Sequence, residues 1–409
     1  MQHRLTLLHP IDPRGSKVGG IETHVRLMYE RRPEDFSVLL VGVDERGDLE
    51  IGKPVRLDIG GGTVDFLPVV HIPDGEIHGA AKKLRQSVTL RFALGALRHL
   101  GAIRRLGAAR KATTELQRFE FGLLGRLIGR PVVQLVHGEG SRKDRMDSLI
   151  RRFWYLNLVN ERIALSLASR IVCVNANIIE RFRRIAPRFV VKSELLTVSV
   201  DMERFRAAPI PAGVPFRIVF AGRLDTFKDP PLMFDTMRRL HTMLDGRFEF
   251  HYVGTSDPHR FAEFAAIEPF TIRHGFQHAD GVAAILRHCH AGILTSFFEG
   301  MPCYLLELLS SGRPMGAIRL PQFDPLVVDG ESGFLIERGE EPAETAERLA
   351  LRFAEMARAI AAGELDPQRI REKAVPYSTR VQMPKLFERH RALAAGRRRR
   401  RPATLEAVG

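Results

Sequence analysis

Cysteine is scarce in this chain: Cys173, Cys289 and Cys303 stand far apart, with no Cys-x-x-Cys spacing. That excludes a disulfide framework and a thiolate metal site, and it suits a reducing compartment. No stretch approaches the roughly 18 apolar residues of a bilayer-crossing helix. The opening run MQHRLTLLHPIDPRG is too short before Pro10 to read as a signal peptide and is expected to be a first strand. One Trp and five Tyr in 409 residues leave the basic segments without stacking platforms, which argues against nucleic acid as a partner. A dinucleotide fingerprint is absent, which counts against an NAD-dependent oxidoreductase. There is no Asp-x-Asp triplet to hold a divalent ion, so no metal site is expected.

What is present is enough for two or three domains at roughly 150 residues each. Hydrophobic residues make up 44% of the chain, sufficient to bury a sizeable core. The net charge of +14 is patchy. Residues 81–130 hold twelve Lys/Arg against Glu115 and Glu120, and the stretch Arg391–Arg401 adds six Arg with no acid. Such clustering favours a surface facing an anionic partner.

Short apolar or β-branched runs alternate with helical stretches, at 5–11, 36–42, 66–72, 131–137, 170–175, 216–222, 248–254 and 291–296. The alternation predicts crossover connections and mostly parallel sheets, with ligands at the strands' carboxyl ends. The Pro-rich segment 183–215 predicts a boundary near residue 205. The expected organisation is therefore an N-terminal domain over 1–205 and a second over 206–378. A terminal helix over 379–396 and a basic tail over 397–409 follow.

Three motifs carry chemistry. In LTLLHPIDPRGSKVGGIETHV, Gly15, Gly19 and Gly20 precede a helix starting near Ile21. Backbone N–H groups there can approach a phosphate, although a plain βα turn reads the same way. In FAGRLDTFKDPPLMF, Arg223 and Lys228 follow a strand, where two cations can neutralise a diphosphate or simply face solvent. In LTSFFEGMPCYLLELLSSGRP, Glu299 precedes Gly300 and Met301 in a loop, and Glu307 lies more than a turn into a helix starting near Pro302. One carboxylate on the loop and one on the helix can address two parts of an elongated ligand, with free N–H groups between them.

With these motifs in order, the sequence resembles glycosyltransferase family 4, retaining enzymes of the GT-B fold with bacterial surface-polysaccharide members. GGIETHV (19–25), the His-Gly pair of VVQLVHGEG (132–140), SVDMERF (199–205), GRLDTFKDP (222–230) and EGMPCYLLELLSSGRP with the preceding Glu299 carry the likeness. The resemblance implies two Rossmann-like domains facing across a cleft, and a UDP- or GDP-sugar as substrate rather than a resident cofactor. It places Gly20, Arg223 and Lys228 at the donor diphosphate, and Glu299, Gly300 and Met301 at the donor sugar. Glu307 would hold the ribose, His137 would lie near the transferring carbon, and Phe276 would lie near the base. Catalytic roles fall on Glu299 and His137. Ser199 and Asp229 stand where the family commonly has Gly.

The acceptor is expected to be a glycan or a lipid-linked glycan. The nearest alternative within the fold is a soluble sugar or sugar-phosphate acceptor, as in sucrose- and glycogen-synthase-like enzymes. Arg91, Arg98 and Arg105 recur every seven residues, so on one helix they would form a basic stripe. That makes 82–111 a candidate contact for an anionic membrane surface, with the protein cytoplasmic and peripheral to the membrane's inner face. An ordinary solvated helix face is the competing reading.

Overall fold

The computed structural model describes residues 2–16, 19–77, 84–138 and 154–396. The basic tail over 397–409 and part of the first glycine motif (17–18) lie outside the described residues, as do the start of the basic segment (82–83) and Glu139-Gly140.

Two sheets, each flanked by helices, make two Rossmann-like α/β domains. The first sheet contains β1 (His3–Leu8), β2 (Phe36–Asp44), β3 (Val55–Ile59) and β4 (Gly62–His71). It continues with β5 (Ala112–Leu116), β6 (Val132–Val136), β7 (Arg170–Cys173) and β8 (Ser193–Leu195). Their spatial order is β3-β4-β2-β1-β5-β6-β7-β8. All pairs are parallel except β3–β4. Gly60 and Gly61, at φ 61° and 77°, form the turn of that hairpin, a geometry only residues tolerant of positive φ accept.

The second sheet runs β11-β10-β9-β12-β13-β14 and is parallel throughout. Its strands are β9 (Phe216–Ala221), β10 (Phe248–Val253), β11 (Thr271–Gly275), β12 (Ala291–Leu294), β13 (Met315–Ile318) and β14 (Gly333–Ile336). Every strand read from an apolar run is present, within a few residues at its ends. The unread strands are the hairpin partner β3, the polar β5 and the short β8, β11, β13 and β14.

Helices α1 (Gly20–Glu30), α2 (Val88–Arg98), α3 (Leu100–Leu106), α4 (Gly122–Ile128) and α5 (Trp154–Leu167) belong to the first domain. In the second, α6 (Pro230–Met243) follows β9 and α7 (Cys303–Ser310) follows β12. The last helix, α8 (Thr379–Ala394), returns to the first sheet. Buried residues at 379, 382, 383, 386, 387 and 390 give it one continuous inner face, and Met383, Leu386 and Phe387 join the core of the first domain. Ion pairs Arg391–Asp35 and Arg389–Glu194 hold it there. Its entry runs beside the interdomain segment: Thr379 donates to the Val200 carbonyl, and Val200 to that of Tyr377. Fully buried Arg313 anchors the same segment by donating to the carbonyls of Ala208, Pro209, Arg287 and Cys289.

The expectation that Arg91, Arg98 and Arg105 share one helix is corrected. His99 leaves helical geometry (φ −101°, ψ 19°), and separate helices α2 and α3 meet there. Four residues before the break, the Gly95 α-carbon lies so close to the Val69 carbonyl that a Cβ would fall 2.4 Å from the oxygen. That contact pins α2 to β4, and Gly101 weakens the helix beyond the break. Arg91 is spent on Glu76 and the His71 carbonyl, whereas Arg98 and Arg105 are exposed.

Candidate active site

A cleft of about 660 Å³ opens between the carboxyl ends of the two sheets. Gly20, His137, Arg223, Lys228, Glu299 and Glu307 all line it, as do Gly300, Met301 and Phe276. Residues from five separate segments, nearly 290 positions apart at the extremes, therefore share one cavity.

The second-domain wall begins at the end of β9, where a short 3-10 turn (Thr226–Lys228) presents Lys228 before α6. Lys228 Nζ donates to Glu299 Oε1 at 2.6 Å, and both side chains are largely buried. Ser296 Oγ donates to the same oxygen at 2.8 Å, so the protein bonds converge on Oε1. The Lys228 ammonium lies 5.2 Å from the centre of the Phe227 ring, which stacks on Phe298 at 5.0 Å between ring centres. Asp229 adopts φ 52°, the left-handed conformation that favours glycine. Here an aspartate makes the turn, caps α6 by accepting from Leu232 N, and pairs with Arg338 at 2.6 Å. Arg338 also donates to the Thr295 carbonyl, and Thr295 Oγ1 donates to that of Lys228. The departure from the family pattern thus leaves Lys228 braced from behind. Arg223 is more than half exposed and pairs with Asp225 at 2.9 Å.

The Glu299 loop is fixed by side chains from both domains. Gln322 Nε2 donates to the Glu299 carbonyl at 2.7 Å, and Asn175 Nδ2 to that of Gly300 at 2.9 Å. A Cβ at Gly300 would stand 1.8 Å from the His137 carbonyl oxygen, so only glycine permits this approach. Asn175 gave no signal in the sequence, because its role depends on a loop 125 residues away.

Two helix N-termini converge beside this pair. Neither the N-cap of α1 (Gly19) nor that of α7 (Pro302) supplies a capping side chain, so N–H groups of both first turns lack side-chain caps. Cys303 Sγ lies 3.6 Å from the Gly20 carbonyl, which brings the two helix starts together. Each is a site of partial positive charge favouring an anion, worth about 0.3–1 kcal/mol at an exposed position. Pro302 takes the N-cap place itself, one residue before the first turn in which its type is favoured. Glu307, the fifth residue of α7, has its carboxyl pushed up to about 7 by burial, with Arg204 acting weakly the other way. Phe276 follows Gly275 (φ 65°) and meets His278 edge to face, forming an aromatic rim to the cleft.

The first-domain wall is different. Burial, reinforced by His24 and His9, pulls His137 down to about 3, so its ring is neutral at any physiological pH. Its Nε2 lies 2.6 Å from Gln117 Oε1, a partner that sequence reading missed.

Comparison with known proteins agrees with this geometry. Residues 215–352 match the family described as "Glycosyl transferases group 1". The structure superimposes on sucrose-phosphate synthase from Thermosynechococcus elongatus with a TM-score of 0.76 and 15% identity, over 97% of this chain and 100% of that one. It superimposes on Anabaena HepE, solved in complex with UDP and glucose, with a TM-score of 0.65 and 16% identity, over 94% and 98% of the two chains. A lipopolysaccharide outer core galactosyltransferase, WaaB, gives 0.57 and 14% over 95% and 99%. No protein of curated function matches by sequence. The resemblance drawn from the motifs is borne out: the chain has the GT-B fold of these glycosyltransferases, and its second domain carries the glycosyl transferases group 1 match.

Proposed function

We propose that the protein is a retaining, metal-independent glycosyltransferase that moves a sugar from a nucleoside diphosphate to a glycan or lipid-linked acceptor. The observation that carries this reading is the convergence of Lys228, Glu299 and two helix starts without side-chain caps in one interdomain cleft.

The donor diphosphate lies against the N–H groups at Gly20 and Met301–Cys303, with Lys228 and Arg223 supplying the balancing charge. Glu299 turns Oε2 to the sugar hydroxyls, and Glu307 accepts from the ribose. As the bond from the sugar's anomeric carbon to the diphosphate oxygen breaks, its electron pair leaves with the diphosphate. Charge builds on that oxygen, where fixed cations and helix ends stabilise it without reorganising. The acceptor oxygen bonds to the same face of the sugar and its proton passes to a phosphate oxygen, so the anomeric configuration is retained. No group of the enzyme becomes covalently attached, and no resident cofactor takes part.

A surface-bound acceptor is supported by the first domain. Leu94 and Leu97 on α2 and Leu123 and Leu127 on α4 are exposed, as are Tyr155 and Val159 on neighbouring α5. Exposed Arg98, Arg105 and Arg126 accompany them. Leucines beside arginines suit the headgroup region of an anionic membrane. Among the described residues no helix is long and apolar enough to cross a membrane. The fit to sucrose-phosphate synthase supports the second reading, a soluble sugar-phosphate acceptor.

Thermal-shift measurement against UDP, GDP, ADP and their sugars tests the donor. A ligand at 100 times its dissociation constant stabilises by about 2.7 kcal/mol. Melting temperatures unmoved by all of them at millimolar concentration would remove the nucleotide-sugar reading.

A further inference from the structure

A chain of hydrogen bonds leads from the cleft into the first domain and ends on the last helix. His137 Nε2 lies 2.6 Å from Gln117 Oε1, and Gln117 Nε2 donates to Glu115 Oε1 at 2.5 Å. Glu115 Oε2 lies 2.7 Å from His390 Nε2, and His390 Nδ1 lies 2.9 Å from Thr113 Oγ1. Gln117 is almost fully buried, and Glu115 and His390 have no exposed surface. A buried chain of polar groups persists only when each donor faces an acceptor.

The chemistry of the groups fixes the direction. A carboxylate only accepts, so Gln117 must turn its NH₂ to Glu115 and its carbonyl oxygen to His137. The opposite amide orientation would set two acceptors against each other at 2.5 Å. His137 must therefore carry its proton on Nε2. On the other side of Glu115, His390 donates from Nε2 and takes its place on α8, the helix that arrives from the second domain. The groups facing His137 from elsewhere are His24, at 6.0 Å between ring centres, and His9 and Glu22, which affect it through space.

We infer that Gln117, Glu115 and His390 are positioning residues that lock His137 in its Nε2-protonated form. Nδ1 is left as a pure acceptor for a hydroxyl of the bound ligand. The role of Nδ1 toward a sugar rests on the proposed function; the lock itself does not. The returning helix thus does more than close the first domain: it supplies His390, which accepts from Thr113 and donates to Glu115 in a chain that reaches the cleft.

The test is the tautomer of His137 in full-length protein labelled with ¹⁵N-histidine, assigned by its disappearance in His137→Gln. The wild type is expected to show protonation at Nε2, and a ring protonated at Nδ1 would overturn the inference without any further variant. Gln117→Met and His390→Phe keep volume and remove the chain. Each is expected to give a mixture of tautomers and to lower kcat roughly tenfold, with the donor KM changed less than about twofold. Met383→Leu, on the same inner face of α8 but outside the chain, should leave the ring spectrum unchanged. A folded Gln117→Met protein with an unaltered tautomer would also overturn the lock. If nucleotides fail to bind but the tautomer shifts as stated, the functional proposal fails and the lock stands.

Discussion

The two walls of the cleft solve different problems with different chemistry. The second-domain wall carries its charge on short turns after β9 and β12, where Lys228, Arg223 and Glu299 can meet a ligand directly. The first-domain wall offers a glycine turn, a helix start and a histidine held neutral, with Glu115 withdrawn behind Gln117, and Arg14, Arg26 and Arg46 line it further out. Ions that line a cleft respond to an incoming diphosphate. Hydrogen bonds buried out of reach fix an orientation and respond to nothing. The contrast is between an ion pair that lines the cleft and a neutral ring held in one orientation from behind.

Breaking the charged wall should have the largest effect. Lys228→Ala removes a cation and leaves Glu299 mostly buried without it, so kcat/KM is expected to fall by about 10²–10³, with a modest loss of melting temperature. A variant within about twofold of wild type would dissolve the distinction between the walls. Arg223→Ala should cost less, about tenfold, because its side chain is more than half exposed and shared with Asp225. Steady-state kinetics at low salt would rank the two.

Glu307 sharpens the comparison through pH. Its raised carboxyl keeps a proton in the folded protein up to about 7, whereas the unfolded chain loses that proton at the ordinary carboxyl value. The stability associated with the bound proton is full below the ordinary value and is lost as pH rises through about 7. In the proposed ribose role the effect runs the other way, because only the ionised form would accept from both hydroxyls. Donor KM should therefore fall as pH rises from about 6 to about 8. Glu307→Gln should flatten that profile and raise KM several-fold, which kinetics across a buffer series would read. The smallest effect on the cleft is expected from Arg98→Glu with Arg105→Glu on the first domain's exterior. Vesicle co-sedimentation should lose binding to anionic lipid, at about 1 kcal/mol per removed charge, while nucleotide affinity stays the same.

The second domain was the more legible half because its functional groups lie on short loops whose glycines, prolines and charges are adjacent in sequence. FAGRLDTFKDP and the Glu299–Glu307 stretch place themselves on strand ends and a helix start by local pattern alone. The Lys228–Glu299 bond joins positions 71 apart, and nothing local announces it. The first domain hid more. Strand β5 reads ATTEL, a polar run that looks exposed, yet all five residues are buried. Thr113 and Glu115 are satisfied there by His390, about 275 positions later. The seven-residue recurrence of Arg91, Arg98 and Arg105 suggested one helix, but periodicity carries no information about Gly95 pressing on Val69 and the kink beyond it.

Gly300 has a consequence for how the molecule must work as a machine. Its α-carbon meets the His137 carbonyl without room for a methyl group, so main chain rests on main chain where the two halves touch. The Asn175 and Val174 side chains flank this contact, the first by donating to the Gly300 carbonyl. Any side chain at position 300 would have to push the two domains apart there or displace the Glu299 loop.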